Sequence, residues 1–310
     1  MKRFGRFTAV TAALALTVAL TACGADEDPL ANDSGGGSAA PGTITIGSAN
    51  FAESELLAEI YSQALEAKGV QVKRQFNIGA RELYLKALQD GSIDLLPEYN
   101  GALLSALTPG GAPEGVSKPE DVLGALKKVL PSGTEVLEQS PAEDKDTLTV
   151  TQETATKYSL KTIDDLKPVA GQLTIGAGPE WQERFQGLKG LESVYGVKFK
   201  EFKPLDAGGP LTVNALKKGQ IQVGNIFSTD SSIATNKFVV LEDPKNLYLA
   251  ENIIPLIRTT ANNPTVTGAL NAVSAKLTTE NLTTTLAKVQ VDKQDTAAVA
   301  KGWLTENGLV

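Results

Sequence analysis

An internal repeat constrains the fold of this chain more strongly than any other feature of its sequence. Three segments of the first half recur in the second: residues 43–51 (TITIGSANF) as 173–181 (LTIGAGPEW), residues 69–76 as 196–203, and residues 86–96 as 214–224. The aligned glycines of the three pairs lie 129, 127 and 128 residues apart. Matches in the same order at nearly one spacing indicate a chain built from two similar halves.

Each half alternates strand patterns with helix patterns. In the first half a strand of alternating apolar residues ends at Gly47, and apolar side chains at helical spacing predict a helix over residues 53–68. A second strand, a helix over residues 83–91 that is closed by Gly91, and a third strand (IDLL) follow. Repeated strand–helix–strand units favour parallel sheets with crossover helices. The sequence therefore predicts an α/β fold with two parallel-sheet lobes.

Two polar segments mark the places where the chain is expected to pass between the lobes. Residues 138–145 (EQSPAEDK) follow one strand pattern, and residues 242–246 (EDPKN) follow another. The remainder of the chain has helical apolar spacing and is assigned to the first lobe. We therefore predict lobe 1 over residues 43–140 and 247–310, lobe 2 over residues 141–246, and a hinge between the two lobes.

The residues expected at the carboxyl ends of the strands differ in character from the strands themselves. They are polar, glycine-rich and aromatic, as in SANF (48–51), EYN (98–100), GPEW (178–181) and NIFSTD (225–230). Ligands of open α/β sheets bind beyond these strand ends. Two such lobes with facing strand ends form a cleft, so the sequence predicts a ligand site between the lobes.

The N-terminus has the pattern of an export signal. Three basic residues precede an uncharged apolar stretch over residues 8–20, which is too short for a permanent membrane span. The sequence LTAC then ends at Cys23, the only cysteine, and resembles the lipobox of bacterial lipoproteins. We predict a signal peptide over residues 1–22, lipidation of Cys23, and a flexible linker over residues 23–42. The alternative is an ordinary signal peptide followed by an unmodified cysteine.

Charge and residue types argue against several classes of function. The formal net charge is −7, and it becomes −10 without residues 1–22, which carry three positive charges and no negative one. Nucleic-acid binding needs clustered Lys and Arg, so we expect no nucleic-acid partner. The chain has no histidine, which removes Ser-His-Asp and Cys-His catalysis and the usual zinc sites. We expect no metal, no cofactor and no catalytic residue.

Several motifs resemble those of one family of binding proteins. GSANFAE, FNIGARELYLKALQDGSIDLLPEYNG and KPLDAGG occur in this order, followed by ALKKGQIQVGNIFSTD and VVLEDPKN. They are similar to the substrate-binding proteins of ABC importers for glycine betaine, carnitine and choline, over residues 43–310. This resemblance implies a type II periplasmic-binding-protein fold and osmoprotectant uptake. It also implies a monomer on the outer face of the membrane that delivers its ligand to an ABC permease with its ATPase.

The resemblance also suggests ligand-binding residues. In that family a cage of tyrosines surrounds a quaternary ammonium group, since aromatic faces attract a methylated cation. Tyr99 in PEYNG matches a family tyrosine, whereas two further family tyrosines have no counterpart near residues 146–147 and 210–213. Phe51 and Trp181 are then possible aromatic walls and Asp146 a possible anionic partner. The full set of candidate ligand-binding residues is Tyr99, Asn100, Asn50, Phe51, Trp181, Arg184, Asp146, Thr147 and Thr229.

Alternatives remain open for these residues and for the function. Tyr99 is alternatively a core residue, Asn50 a helix cap, and Arg184 a partner in an ion pair between the lobes. The thinned aromatic cage also fits a non-betaine solute, such as a polyol, a sugar-like compound or a polyphenol. A lipid-anchored ligand sensor and an enzyme that uses paired carboxylates are further alternatives, although no carboxylate pair stands out in the sequence.

Overall fold

The strands form two five-stranded sheets, one in each lobe. The computed structural model describes residues 42–310, so the predicted signal peptide, Cys23 and all but the last residue of the predicted linker lie outside the described residues. In chain order the strands are β1 (Thr43–Gly47), β2 (Gln71–Gln75), β3 (Leu95–Tyr99), β4 (Thr134–Val136), β5 (Asp146–Val150), β6 (Thr174–Ala177), β7 (Glu201–Pro204), β8 (Val223–Phe227), β9 (Val239–Val240) and β10 (Ile253–Arg258).

Ten α-helices accompany the strands in the described part of the chain. They are α1 (Ala52–Glu66), α2 (Arg81–Asp90), α3 (Asn100–Leu107), α4 (Pro119–Val129), α5 (Gln152–Tyr158), α6 (Pro210–Lys217), α7 (Ser231–Asn236), α8 (Pro264–Lys276), α9 (Thr279–Gln290) and α10 (Thr296–Glu306). The helices predicted over residues 53–68 and 83–91 correspond to α1 and α2. Gly91 ends α2 in the left-handed conformation, with φ of 82°, as expected of a glycine after a helix.

Both sheets are mixed, which refines the predicted two-lobed α/β fold. The first sheet has the order β2-β1-β3-β10-β4 and the second the order β7-β6-β8-β5-β9. β1 is parallel to β2 and β3, and β6 is parallel to β7 and β8. β10 and β5, however, run antiparallel to both of their neighbours. The two-lobed α/β architecture is therefore confirmed, but the expectation of parallel sheets throughout was wrong.

The path of the chain between the lobes explains the two antiparallel strands. The parallel strands end at the cleft, whereas β5 and β10 are each entered from the other lobe and therefore start there. Asp146 at the start of β5 pairs with Phe227 at the end of β8, and Ile253 at the start of β10 pairs with Tyr99 at the end of β3. A strand that starts where its neighbours end must run antiparallel to them.

Two connecting segments link the lobes and are hydrogen-bonded to each other. We call these segments the passages: the first lies between β4 and β5, and the second lies between β9 and β10. The N–H of Asp144 donates to the carbonyl oxygen of Glu251 over 3.1 Å, and the N–H of Ile253 donates to that of Ala142 over 3.1 Å. The passages therefore form a short paired ribbon at the base of the cleft. The residue limits given above for the two lobes stay a prediction.

A buried helix organises the first lobe. Eleven of the fifteen residues of α1 are buried, and the helix packs against α8, α9 and α10 near the C-terminus. Trp303 of α10 is 1 % exposed within this core. Side-chain caps define where these C-terminal helices start, since Asn263, Thr278 and Asp295 each accept a hydrogen bond from the first turn that follows. None of the helices within residues 42–310 is long and apolar enough to span a membrane.

Candidate functional site

Three aromatic rings meet where strands of both lobes end. Phe51 follows β1, Tyr99 ends β3 and Phe227 ends β8 of the second sheet. The centroid of the Phe51 ring lies 6.1 Å from that of Tyr99 and 4.9 Å from that of Phe227, with the planes tilted by 32° and 38°. Because the strand ends face one another across the cleft, the rings form an aromatic contact between the lobes.

A hydrogen-bonded chain passes from Tyr99 to the second lobe through Glu53. The Tyr99 hydroxyl donates to Glu53 Oε1 over 2.8 Å, and the Thr229 hydroxyl donates to Glu53 Oε2 over 2.5 Å. Glu53 lies in the first turn of α1 and is 2 % exposed. The hydroxyl of Tyr99 is therefore satisfied within the chain, while its ring lines the cleft.

A second carboxylate lies beside Glu53. Asp144, in the first passage, accepts hydrogen bonds from the Thr229 N–H over 3.0 Å and from the Ser228 hydroxyl over 3.2 Å. Burial raises the pKa of Glu53, although hydrogen bonds from Thr229 and Tyr99 oppose the rise. Burial and then repulsion from Glu53 raise the pKa of Asp144 well above its usual range. Two buried carboxylates this close to each other cannot both carry a charge without cost.

Asp146 and Glu251 form a second acidic pair in the cleft. Asp146 Oδ1 accepts a hydrogen bond from Asn225 Nδ2 over 2.7 Å, and Glu251 Oε1 accepts one from Gln186 Nε2 over 2.6 Å. Burial raises the pKa of Asp146. Burial and then the negative charge of Asp146 raise the pKa of Glu251 well above its usual range. We call Glu53, Asp144, Asp146 and Glu251 the cleft carboxylates.

The arginines of the cleft are already paired with other carboxylates. Arg81 is 7 % exposed and holds Glu98 through two hydrogen bonds of 2.8 and 3.1 Å, and Tyr84 also donates to Glu98 over 2.6 Å. Arg184 of the second lobe holds Glu82 of the first through hydrogen bonds of 3.0 and 2.9 Å. None of the cleft carboxylates forms a salt bridge with a lysine or arginine within the described range.

These side chains surround two adjoining spaces. The first has a volume of about 40 Å³ and is lined by Ala49, Asn50, Phe51, Ala80, Arg81, Tyr84, Tyr99, Ala102, Asp144, Asp146, Glu180, Arg184, Ala207, Phe227 and Glu251. The second has a volume of about 510 Å³ and shares five lining residues with the first, namely Asn50, Phe51, Asp144, Ala207 and Phe227. It extends between α6 and α7 of the second lobe and α9. The aromatic contact therefore separates a narrow inner space from a wider outer one.

The structure brings six of the nine candidate residues to these spaces. Asn50, Phe51, Tyr99, Asp146 and Arg184 line the inner space, and Thr229 lines the outer one. The expected ion pair between the lobes is present at Arg184. Whether these residues contact a ligand stays a prediction.

Three candidate residues do not line either space. Asn100 is fully buried, and its side chain donates to Gln139 and accepts from the N–H groups of Gly101 and Asn252. The Thr147 hydroxyl donates to the carbonyl oxygen of Ile226 over 2.6 Å. Trp181 is 2 % exposed and packs in the core of the second lobe, where its indole N–H lies near Asp146 without a direct hydrogen bond.

Sequence reasoning missed the cleft carboxylates other than Asp146, and it missed Phe227. Glu53 follows Phe51 by two positions and is also a favourable residue for a first helical turn, so its pattern indicates only a helix start. Asp144 and Glu251 lie in irregular passages that have no periodicity. The sequence did offer a signal for Phe227, because this residue lies in the segment NIFSTD at a predicted strand end.

The chemistry of the cleft favours a cation. Aromatic faces carry a negative potential, and unpaired carboxylates in a site of low dielectric attract positive charge strongly. Within residues 42–310 there is no cluster of three His, Cys, Asp or Glu side chains that could hold a metal ion. An organic cation with an apolar surface satisfies both the rings and the carboxylates.

Comparison with known proteins agrees with this geometry. Residues 42–306 match the family model "Substrate binding domain of ABC-type glycine betaine transport system". A carnitine transport binding protein of Listeria monocytogenes is 27 % identical over 278 residues, which cover 87 % of this chain and 89 % of that protein. A glycine betaine-binding protein of Escherichia coli is 26 % identical over 281 residues, with 86 % and 90 % covered.

A solved structure supports the fold. The crystal structure of a glycine betaine/carnitine/choline ABC transporter protein superposes with a TM-score of 0.65 at 22 % identity, covering 86 % of this chain and 99 % of that chain. At this identity the likeness establishes the two-lobed fold alone. Membership of the family rests on the match of residues 42–306 to the family model. The chain therefore belongs to the family of substrate-binding domains of ABC-type glycine betaine transport systems.

Proposed function

We propose that the chain captures a small quaternary ammonium compound in the cleft between its lobes and delivers it to an ABC permease. Glycine betaine, carnitine, choline and closely related compounds are the candidates. One observation carries the proposal, namely the aromatic rings of Phe51, Tyr99 and Phe227 beside the cleft carboxylates. A methylated ammonium group cannot donate a hydrogen bond, so aromatic faces and negative charge are the groups that attract it. The family acts in transport, so we expect binding without catalysis.

Capture is proposed to work by closure of the lobes. Besides the contact of Phe51 with Phe227, three sets of side-chain hydrogen bonds cross the cleft: Thr229 with Glu53, Arg184 with Glu82, and the side chain of Gln290 with Asp230 and Ser231. A ligand that contacts both lobes favours the closed form by its difference in affinity for the closed and open forms. The closed form is then the one that docks on the permease, whose ATPase drives uptake.

We further propose that the monomeric protein is held at the outer face of the cell membrane by a lipid on Cys23. The support is the charged, apolar and small-residue pattern of residues 1–23, together with the acidic linker that follows. Labelled fatty acid should be incorporated into the full-length chain in bacterial cells, and Cys23→Ser should abolish the labelling. Labelling of the serine variant would overturn the anchor but not the binding function.

Thermal denaturation with added solutes tests the binding function. We would use residues 24–310, which contain every described residue, with glycine betaine, carnitine and choline, and with sugars and polyols as controls. A ligand that binds only the folded chain raises its melting temperature by mass action, by several degrees at a concentration a hundred times the Kd. A rise with sugars or polyols and none with the ammonium compounds would overturn the proposal.

A further inference from the structure

We propose that the cleft selects a quaternary ammonium cation that carries no carboxylate of its own, and discriminates against zwitterions of similar size. This inference rests on the proposed function and narrows the substrate class of the same site. Its basis is the uneven charge of the cleft, where four acidic side chains face the ligand space or its edge without a basic partner.

The positive groups that line the inner space are already engaged. The guanidinium group of Arg81 is bonded to Glu98, and that of Arg184 to Glu82. Lys217 and Lys293 line the outer space and not the inner one. A zwitterion whose carboxylate lies in the inner space would need Arg81 or Arg184 as its partner. Binding its carboxylate would therefore require a salt bridge within the protein to be broken.

Two of the backbone sites that suit an anion already carry the protein's own carboxylates. A helix N-terminus attracts negative charge, and of the three helices that begin beside the inner space, α1, α2 and α3, the first two have an acidic residue in the first turn. Glu53 lies in the first turn of α1, and Glu82 lies in the first turn of α2. An incoming carboxylate would compete with these side chains at both helix ends.

Hydroxyl donors that line the inner space are also committed to acidic side chains, whereas the buried hydroxyl of Ser232 beside the outer space makes no hydrogen bond. Tyr99 donates to Glu53, and Tyr84 donates to Glu98. Two buried donors, the indole N–H of Trp181 and the hydroxyl of Tyr248, make no hydrogen bond, but neither residue lines the inner space. The side chains that line the inner space therefore provide acceptors in excess of donors, which suits a cation with a hydroxyl and disfavours a second carboxylate.

Choline and glycine betaine are the matched probes for this difference. Both carry a trimethylammonium group on a two-carbon chain, which ends in a hydroxyl in choline and in a carboxylate in glycine betaine. Repulsion between two like charges about 6 to 12 Å apart lowers affinity by about a hundredfold to tenfold at an effective dielectric constant of about 20. The two ligands therefore separate the effect of the carboxylate from that of the ammonium cage.

Isothermal titration of residues 24–310 with choline, glycine betaine and carnitine at pH 7.5 tests the inference. The expected result is a Kd for choline at least tenfold lower than those for the two zwitterions. A smaller difference, or tighter binding of either zwitterion, would overturn the selectivity and leave the proposed function intact. Absence of binding by all three compounds would overturn both.

A substitution in the cleft provides the second test. Asp146→Asn removes one unpaired charge and keeps an oxygen that can accept the hydrogen bond from Asn225. We expect choline to bind about tenfold more weakly and glycine betaine not to lose affinity, so that the ratio of the two Kd values narrows at least fivefold. Asp121→Asn, an exposed change on α4, is the matched control and should leave the ratio unchanged.

Folding of the variants is checked by their melting temperatures. If Asp146→Asn does not fold, Glu251→Gln offers the same loss of charge with an acceptor retained for Gln186. An unchanged ratio of the two Kd values in a folded cleft variant would overturn the assignment of selectivity to the cleft carboxylates.

Discussion

At the scale of single residues, Tyr99 combines two roles that different substitutions can separate. Its hydroxyl holds Glu53 over 2.8 Å, and its ring stands 6.1 Å from that of Phe51 at the wall of the cleft. The hydroxyl stabilises the fold through Glu53, and the ring lines the ligand site. Their separate contributions can therefore be measured in separate variants.

Replacing Tyr99 by Ala should weaken ligand binding, because the loss of one aromatic face removes about 0.5–2 kcal/mol of attraction to a cation. Tyr99→Phe keeps the ring and removes the donor to Glu53, so its ligand affinity should stay within about threefold of the native value. Its free energy of unfolding should fall by about 1 kcal/mol. Titration calorimetry and thermal denaturation measure the two effects, and equal losses of affinity in both variants would contradict the division of roles.

The cleft carboxylates also predict how binding depends on pH. Burial raises the pKa values of Glu53, Asp144, Asp146 and Glu251 above their ordinary values of 4.5 for Glu and 3.8 for Asp. The unliganded folded chain therefore holds protons that the unfolded chain has lost. Its free energy of unfolding should accordingly fall as the pH rises from the ordinary carboxyl range through the raised values.

A bound cation favours the charged carboxylates and should expel these protons. Affinity for choline should then rise between pH 5 and pH 7, by up to about tenfold per pH unit for each proton released. Calorimetry at one pH in two buffers with different ionisation enthalpies counts the protons released. An affinity that is flat or falls over this range would show that the carboxylates are not neutralised by the ligand.

At the scale of secondary-structure elements, an ion pair joins α2 to the second lobe, and under the proposed closure it is expected to act as a latch on the closed form. Glu82 and Arg184 meet through two hydrogen bonds, with side chains 57 % and 21 % exposed. An ion pair this exposed contributes about 0–1 kcal/mol. Its effect should therefore appear in the lifetime of the complex rather than in the stability of the fold.

Glu82→Gln should raise the ligand dissociation rate by less than about fivefold and leave the melting temperature of the unliganded chain nearly unchanged. Stopped-flow fluorescence measures that rate. Glu192→Gln is the matched control, because Glu192 forms an exposed ion pair with Lys198 within the second lobe. A similar acceleration in the control, or none in Glu82→Gln, would argue against a latch.

The elements also show which features of the fold can be predicted from local sequence patterns. Helical spacing of apolar residues predicted α1, the closing Gly91 marked the end of α2, and the repeat predicted that strands of both halves end at one cleft. The direction of β5 and β10 was not predictable from their own residues, since it follows from the passage of the chain between lobes. Asp144 and Glu251 were missed for the same reason, because the passages have no periodic pattern that would distinguish a buried carboxylate from a solvated one.

At the scale of the whole molecule, the contacts between the lobes predict a change of shape. A bound cation that contacts both lobes favours closure of the cleft. The radius of gyration of residues 24–310 from small-angle scattering should therefore decrease when saturating choline is added. An unchanged radius together with measurable binding would mean that the ligand enters a cleft that is already closed.

The pairing of the two passages has a consequence for how such a molecule senses its ligand. Asp144 and Glu251 lie on opposite sides of the ribbon that the lobes must bend, and Asp146 begins the strand that leaves it. Three of the four cleft carboxylates therefore lie in or directly beside the paired passages, which are the segments that must bend when the lobes move. Neutralising their charge changes the electrostatic forces within these segments directly, so ligand recognition and lobe motion need no intermediary residues to connect them.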